Sequence, residues 1–233
     1  MRKFLTARWE DLILVTYEVE PSLLAERLPQ DTSLDLADGR CFVSLVAFMF
    51  RNTRVLGVPV PLHVNFEEVN LRFYVKYEPA TEIRRGVVFI KEIVPRLAIA
   101  TVAHFLYGEP YEAWRMNHDI SDTHVRYGWR KDASTNSLSV GRGKSLGVPT
   151  EGSHGEFIIE HYWGYTKRGA VRTDEYKVEH PKWELFSPDA PSIDVDFAGT
   201  YGPEFDFLAR QKPYSILLAK GSEISVYKGA KLG

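Results

Sequence analysis

The chain has almost no cysteine: Cys41 is the single one among 233 residues, so no intrachain disulfide can form. It sits in the apolar run Cys41-Phe42-Val43-Ser44-Leu45-Val46-Ala47-Phe48-Met49-Phe50, where it reads as a small buried hydrophobe rather than a nucleophile. An excess of one charge is also lacking. The 29 basic and 31 acidic residues nearly cancel, and no block of like charge occurs. Neither nucleic acid nor an anionic membrane is favoured as a partner. No apolar run approaches the ~18 residues that a bilayer span needs. Arg8, Glu10 and Asp11 break up any secretory leader. A soluble, cytoplasmic protein is expected. Common catalytic signatures are missing too. There is no Gly-x-Ser-x-Gly elbow. Gly141-Arg142-Gly143-Lys144-Ser145 has Leu138 where a phosphate loop needs glycine, and Gly147 and Pro149 forbid the helix that should follow. His118-Asp119-Ile120-Ser121-Asp122-Thr123-His124 matches no metal-ligand spacing and reads as a polar connector. No metal and no cofactor are expected.

What the chain does have is many short apolar segments, within a hydrophobic fraction of 44% that suffices for a sizeable core. Strands are predicted at Leu12–Val19, Ser33–Leu36, Cys41–Phe50, Phe66–Val75, Gly86–Val94, Tyr111–Met116, His124–Lys131 and Ser137–Gly141. Further strands are predicted at Glu156–Thr166, Ala170–Glu179 and Trp183–Leu185. Tyr214–Ala219 and Glu223–Tyr227 flank Lys220-Gly221-Ser222, a hairpin signal. Pro21 opens a short helix, and a second runs from Pro95 to Tyr107, apolar nearly all round and therefore buried. Glu204 to Ala209 reads as a helical turn. Many strands, few helices and no linker predict a mostly β, α+β fold, barrel-like, in a single domain over residues 1–233.

The stretch Phe66-Glu67-Glu68-Val69-Asn70-Leu71-Arg72-Phe73-Tyr74-Val75 alternates from Glu68 onward. Val69, Leu71, Phe73 and Val75 share one face; Glu68, Asn70, Arg72 and Tyr74 share the other. Arg72 offers a planar fork for a carboxylate or phosphate, and Glu68 on the same face is an acid or base. Alternation alone favours the plainer reading of a solvated face with cross-strand ion pairs. Lys91 and Glu92 interrupt the apolar run of Gly86–Val94 and face opposite ways. A desolvated Lys91 would suit imine chemistry, but a solvent-facing residue is the simpler reading. His161 shares a face with Ile159 and Trp163 on its predicted strand. It is either a satisfied core histidine or a pocket group.

Several motifs taken in order carry a family likeness. Thr16-Tyr17-Glu18-Val19-Glu20-Pro21, then Leu24 and the Leu28-Pro29 stop, resembles the opening of acetoacetate decarboxylase-like proteins. Phe66-Glu67-Glu68-Val69 resembles their Tyr-x-Glu-Val strand, and Leu106-Tyr107-Gly108-Glu109-Pro110-Tyr111-Glu112 resembles the end of their helix. Phe-Glu-Glu-Val-Asn-Leu-Arg, Glu-His-Tyr-Trp-Gly-Tyr-Thr and the late Gly-Ser-Glu-Ile-Ser-Val-Tyr resemble the uncharacterised, bacterial YqjF-like family of that superfamily. The resemblance implies a β-barrel enclosing a pocket, with Glu68 at the pocket glutamate and Asn70 and Arg72 beside it. The decarboxylases use two adjacent lysines, the first as Schiff-base nucleophile and the second to lower its pKa. Those positions read Tyr111 and Glu112 here, and tyrosine forms no imine. The resemblance therefore implies a small-molecule-binding protein acting on a small carboxylate or carbonyl compound by acid–base chemistry. Glu68, Glu112 and His161 would move protons, while Asn70, Arg72 and Tyr111 would bind the ligand. The alternative is a non-catalytic sensor or interaction protein that retains the fold; whether the chain is an enzyme stays open. An exposed sheet edge would admit a homo-oligomer.

Overall fold

Runs of β-branched and aromatic residues set the architecture. The computed structural model describes residues 2–61, 63–80, 82–97, 108–169 and 171–232. In chain order its strands are β1 (Lys3–Val19), β2 (Ser33–Leu34), β3 (Cys41–Val55), β4 (Val58–Pro59), β5 (Phe66–Tyr77) and β6 (Arg84–Val94). They continue with β7 (Tyr111–Ala113), β8 (Arg115–Ile120), β9 (His124–Lys131), β10 (Ser134–Gly141), β11 (Ser145–Gly147) and β12 (Trp163–Lys167). Last come β13 (Thr173–Glu179), β14 (Leu185–Phe186), β15 (Asp189–Asp194), β16 (Ser215–Tyr227) and β17 (Ala230–Lys231). Pro21–Arg27 and Pro203–Ala209 are 3-10 turns, each with proline in the first turn. The helix expected over Pro95–Tyr107 lies, from residue 98 on, outside the described residues. No helix among the described residues is long and apolar enough to cross a membrane.

In the larger sheet the pairings run β1-β3-β5-β6-β12-β13, and β13 then pairs with β16, which pairs back with β1. The hydrogen-bonded path thus returns to its start. β8, β9, β10 and β15 make a separate four-stranded sheet. Its residues Val125, Tyr127, Trp129, Leu138 and Val140 share a core with Val69, Leu71, Phe73 and Val75 of β5. A second core, holding Phe48, Phe66, Tyr74, Tyr176 and Val178, lies on the other face of the larger sheet. Residues Cys41 to Phe50 are therefore buried on both sides, as their unbroken apolar run predicts.

Two expectations are corrected. The predicted hairpin at Gly221 is one continuous strand. Both of its flanks pair with β1, from Thr16↔Ser215 to Lys3↔Tyr227, so the long partner holds the segment straight through the glycine. Gly221 has φ +78°, and a Cβ there would lie 1.9 Å from the Trp9 carbonyl oxygen, so glycine serves a local irregularity rather than a reversal. The predicted strand Glu156–Thr166 starts as the short helix His154–Ile159 and becomes strand only at Trp163. Ser153 caps the helix, accepting from the Glu156 amide at 3.2 Å, while the Glu156 carboxylate accepts from the Gly152 amide at 2.6 Å.

Candidate functional site

The alternation of β5 sends Glu68 and Asn70 to the face opposite Val69 and Leu71. Neither is solvated: Glu68 is 3% exposed and Asn70 1%. On β6, Glu92 pairs across with Asn70 and is equally buried, while Lys91 turns to the other side. β7 runs parallel to β6 and sets Tyr111 beside Glu92. Glu109, in the turn before β7, is 3% exposed. Tyr176 enters from β13 opposite Gly164, where a Cβ would lie 2.2 Å from its ring. The glycine makes room for the phenol.

These groups line one partly open cavity of about 110 Å³. Its polar walls are Glu68, Asn70, Arg72, Glu92, Glu109, Tyr111 and Tyr176, and its apolar walls include Trp9, Phe48, Phe50, Phe66 and Phe89. The volume is below the ~300–1,000 Å³ of drug-sized sites and near the ~150 Å³ that holds benzene, so it suits a ligand of a few heavy atoms. Asn70 Nδ2 donates to Glu68 Oε1 at 3.0 Å, and the Tyr111 hydroxyl donates to Glu68 Oε2 at 3.4 Å. The Tyr176 hydroxyl donates to Glu109 Oε1 at 2.6 Å. Asn70 Oδ1, Arg72 Nε and Glu92 Oε2 are buried without a protein partner.

Burial dominates the electrostatics. It pushes the Glu68 carboxyl up to about 8, helped by Glu109 and opposed by Asn70, Tyr111 and Arg72. It pushes Glu109 up to about 7 against the hydrogen bond from Tyr176. Burial and the neighbouring Glu109 and Glu68 hold Glu92 well above the ordinary carboxylate range. At neutral pH the cavity thus presents protonated carboxyls as donors, with one carboxyl near its midpoint. Such groups suit general acid–base work.

Among the sequence-derived candidates, Glu68, Asn70, Arg72 and Tyr111 come together here. Glu112 and His161 do not. Glu112 faces the far side of β7, with Lys91 at 2.8 Å, Lys131 at 3.0 Å and Trp114 Nε1 at 2.9 Å. His161 lies in the connector after the helix His154–Ile159, not on a strand, so the face shared with Ile159 and Trp163 does not exist. Its Nε2 meets Asp35 at 3.0 Å, and Arg85 Nε meets the same Asp35 oxygen at 2.6 Å. Burial pushes the imidazole down to about 4 despite Asp35. The Tyr74 hydroxyl is taken up in a chain with Ser44 at 2.7 Å and on to Thr16 at 2.8 Å. Glu92, Glu109 and Tyr176 belong to the cavity but were not among the candidates. Glu92 carried a usable signal, a carboxylate breaking an apolar strand opposite Lys91. Among the described residues no group of three or more His, Cys, Asp or Glu is placed to hold a metal ion. Cys41 is buried, and burial lifts its thiol to about 11.

Comparisons with known proteins bear on fold and family. A profile of the DUF2071 family, described as an uncharacterized conserved protein, matches residues 6–223. The uncharacterized protein YqjF of Bacillus subtilis (strain 168) is 35% identical over 71 residues, 30% of this chain and 29% of YqjF, so the match spans under a third of that relative. Among solved structures, the acetoacetate decarboxylase of Legionella pneumophila superposes with TM-score 0.70 at 11% identity, covering 100% of this chain and 90% of that one. An acetoacetate decarboxylase-like enzyme from Sphingomonas wittichii RW1 gives 0.68 at 12% identity, covering 100% and 94%. The enduracididine biosynthesis enzyme MppR, complexed with pyruvate, gives 0.67 at 13% identity, covering 100% and 92%. At such identities these structures show the fold alone. The chain belongs to the DUF2071 family and is mostly β, with an acetoacetate decarboxylase-like fold.

Proposed function

We propose that this chain binds a short carboxylate or carbonyl compound in this cavity and acts on it by proton transfer, without imine chemistry. The carrying observation is the set of buried polar atoms Asn70 Oδ1, Arg72 Nε and Glu92 Oε2, which have no protein partner. A buried polar group left unpaired costs about 1–3 kcal/mol, and a carboxylate or carbonyl oxygen accepting from Arg72 Nε and from the protonated Glu92 carboxyl would recover part of that cost. We read the returning path of strand pairings as a barrel around the cavity. Its use of β1 and β16, from opposite ends of the chain, supports one domain over residues 1–233. Arg72 would hold the ligand's oxygen. Glu68, with its carboxyl near neutrality, would give or take the proton. Tyr111, at the position of the decarboxylase lysine in the resemblance, would donate a hydrogen bond instead of forming an imine. No lysine lines the cavity among the described residues. MppR, of the same fold, is complexed with pyruvate, which supports the ligand class.

Thermal denaturation with pyruvate, lactate and propionate tests the binding. A rise in Tm that Arg72→Ala removes supports it; no rise with any of them sinks it. Turnover separates an enzyme from the second reading, a sensor that holds its ligand in the same site. Exchange of the pyruvate methyl protons with deuterium, followed by NMR and lost in Glu68→Gln, supports proton abstraction next to a carbonyl. Binding without exchange of any bound carbonyl compound supports the sensor.

A further inference from the structure

Charge balance governs what this cavity can admit. Its walls hold three carboxyl groups and, among the described residues, one cationic side chain, Arg72. The titratable and charged groups facing one another are Glu68 and Arg72 from β5, Glu92 from β6, Glu109 from the preceding turn, Tyr111 from β7 and Tyr176 from β13. Arg168 acts on Glu109 from outside the walls. The three carboxyls are at most 3% exposed. An unpaired ion in such surroundings costs several kcal/mol, so Arg72 licenses about one negative charge in the cavity. A carboxylate ligand brings that charge itself. The glutamates around it then have to be neutral.

We propose that a short carboxylate enters this cavity together with protons that neutralise the glutamates, so that ligand binding and proton uptake are one event. This rests on the ligand class argued above and adds the coupling. The balance is simple: a buffer acid or hydronium gives up a proton, an O–H bond forms on a glutamate carboxylate, and no electrons change hands. The direction with pH follows. Glu109 sits at about 7 and Glu68 at about 8. At pH 6 both already carry their protons in the free protein, and the anion enters without uptake. At pH 8 Glu109 has lost its proton and Glu68 is near its midpoint, so between about one and one and a half protons accompany each anion. Affinity for the anion falls as pH rises.

Titration calorimetry of the full chain with propionate tests this. It is run at pH 6 and pH 8, each in two buffers of different ionisation heat. Propionamide, of the same size and uncharged, is the control. The expected result is almost no buffer dependence at pH 6, uptake of between about one and one and a half protons at pH 8, and affinity lower at pH 8 by roughly twentyfold. Propionamide should bind without uptake at pH 8. Glu109→Gln should still bind propionate but take up markedly fewer protons at pH 8, and Glu68→Gln gives a second variant that should still bind it with a smaller reduction, of about half a proton. Propionate binding at pH 8 without proton uptake overturns the coupling and leaves the ligand class standing. Equal uptake with propionamide overturns it too, because ligand charge would not be the cause. Failure of both compounds to bind overturns the ligand class and this proposal together.

Discussion

Lys91 and Glu92 are adjacent on β6, and Tyr111 and Glu112 are adjacent on β7, yet each pair divides between two chemistries. Glu92 and Tyr111 enter the cavity, where burial holds Glu92 well above the usual carboxylate range. Lys91 and Glu112 meet on the other side at 2.8 Å, joined by Lys131, with both ammonium groups near the Trp114 ring. There burial opposes ionisation of Glu112, but hydrogen bonds from Lys91, Trp114 and Lys131 outweigh it and pull the carboxyl down to about 2. On these two neighbouring strands, one residue's step thus decides whether a side chain joins a proton-holding carboxyl or one that is ionised at neutral pH. Strand parity chooses the side, and the partners waiting there choose the protonation state.

The largest effect expected from that contrast is on the cavity side. The folded pKa of Glu68 is raised from 4.5 to about 8. Its contribution to stability is therefore full below pH 4.5 and is lost as pH rises toward 8. Glu68→Gln keeps the shape and removes the titration. Between pH 5 and pH 9 the variant should lose roughly 2–4 kcal/mol less stability than wild type. Urea denaturation at both pH values measures this. Equal losses in the two proteins would mean that Glu68 is not desolvated as its burial implies.

The same contrast explains how much was legible in the sequence. The alternation from Glu68 to Val75 revealed which residues share a face, and β3 and β5 stand where their apolar runs put them. Alternation did not tell wet from dry. It marks a difference between faces, and here both faces are covered, one by the four-stranded sheet and one by the cavity's own core. The family likeness, not the period, pointed Glu68 inward. Glu109 and Tyr176 were illegible because a turn has no period and because Tyr176 reaches the cavity only through the gap left by Gly164. The helix at His154 was misread although Ser153-His154-Gly155-Glu156 is a capping signature, since Phe157-Ile158-Ile159 is too short an apolar run to reveal its period. Gly221 was misread because turn chemistry is local, whereas a 17-residue partner strand is tertiary context.

A smaller effect is expected at His161, which separates structural support from the cavity. Its side chain is buried against Tyr74 and Phe157 and bonded to Asp35. His161→Gln should cost about 1.5–3 kcal/mol of stability at pH 7, the worth of a buried hydrogen bond to a charged group. Propionate affinity should not change, because His161 lines no part of the cavity. Affinity lowered more than tenfold with the fold intact would return His161 to the proton-moving set.

The smallest effect tests the outer side. Glu112 is partly exposed, with 34% of its side chain open to solvent, so water and salt screen its pairs with Lys91 and Lys131. Glu112→Gln should cost less than ~1 kcal/mol at pH 7, and less still in high salt. The sign with pH is opposite to that of Glu68. The Glu112 carboxyl is lowered to about 2, so its contribution is present above pH 4.5 and is lost as pH falls toward 2. The variant should therefore converge on wild type in acid, where Glu68→Gln is also silent, and differ from it at neutral pH and above. Denaturation at pH 3 and pH 7, with and without added salt, reads this out. If Glu112→Gln instead changed propionate binding, Glu112 would act across the strand on the cavity, and the separation of the two sides by strand parity would fail.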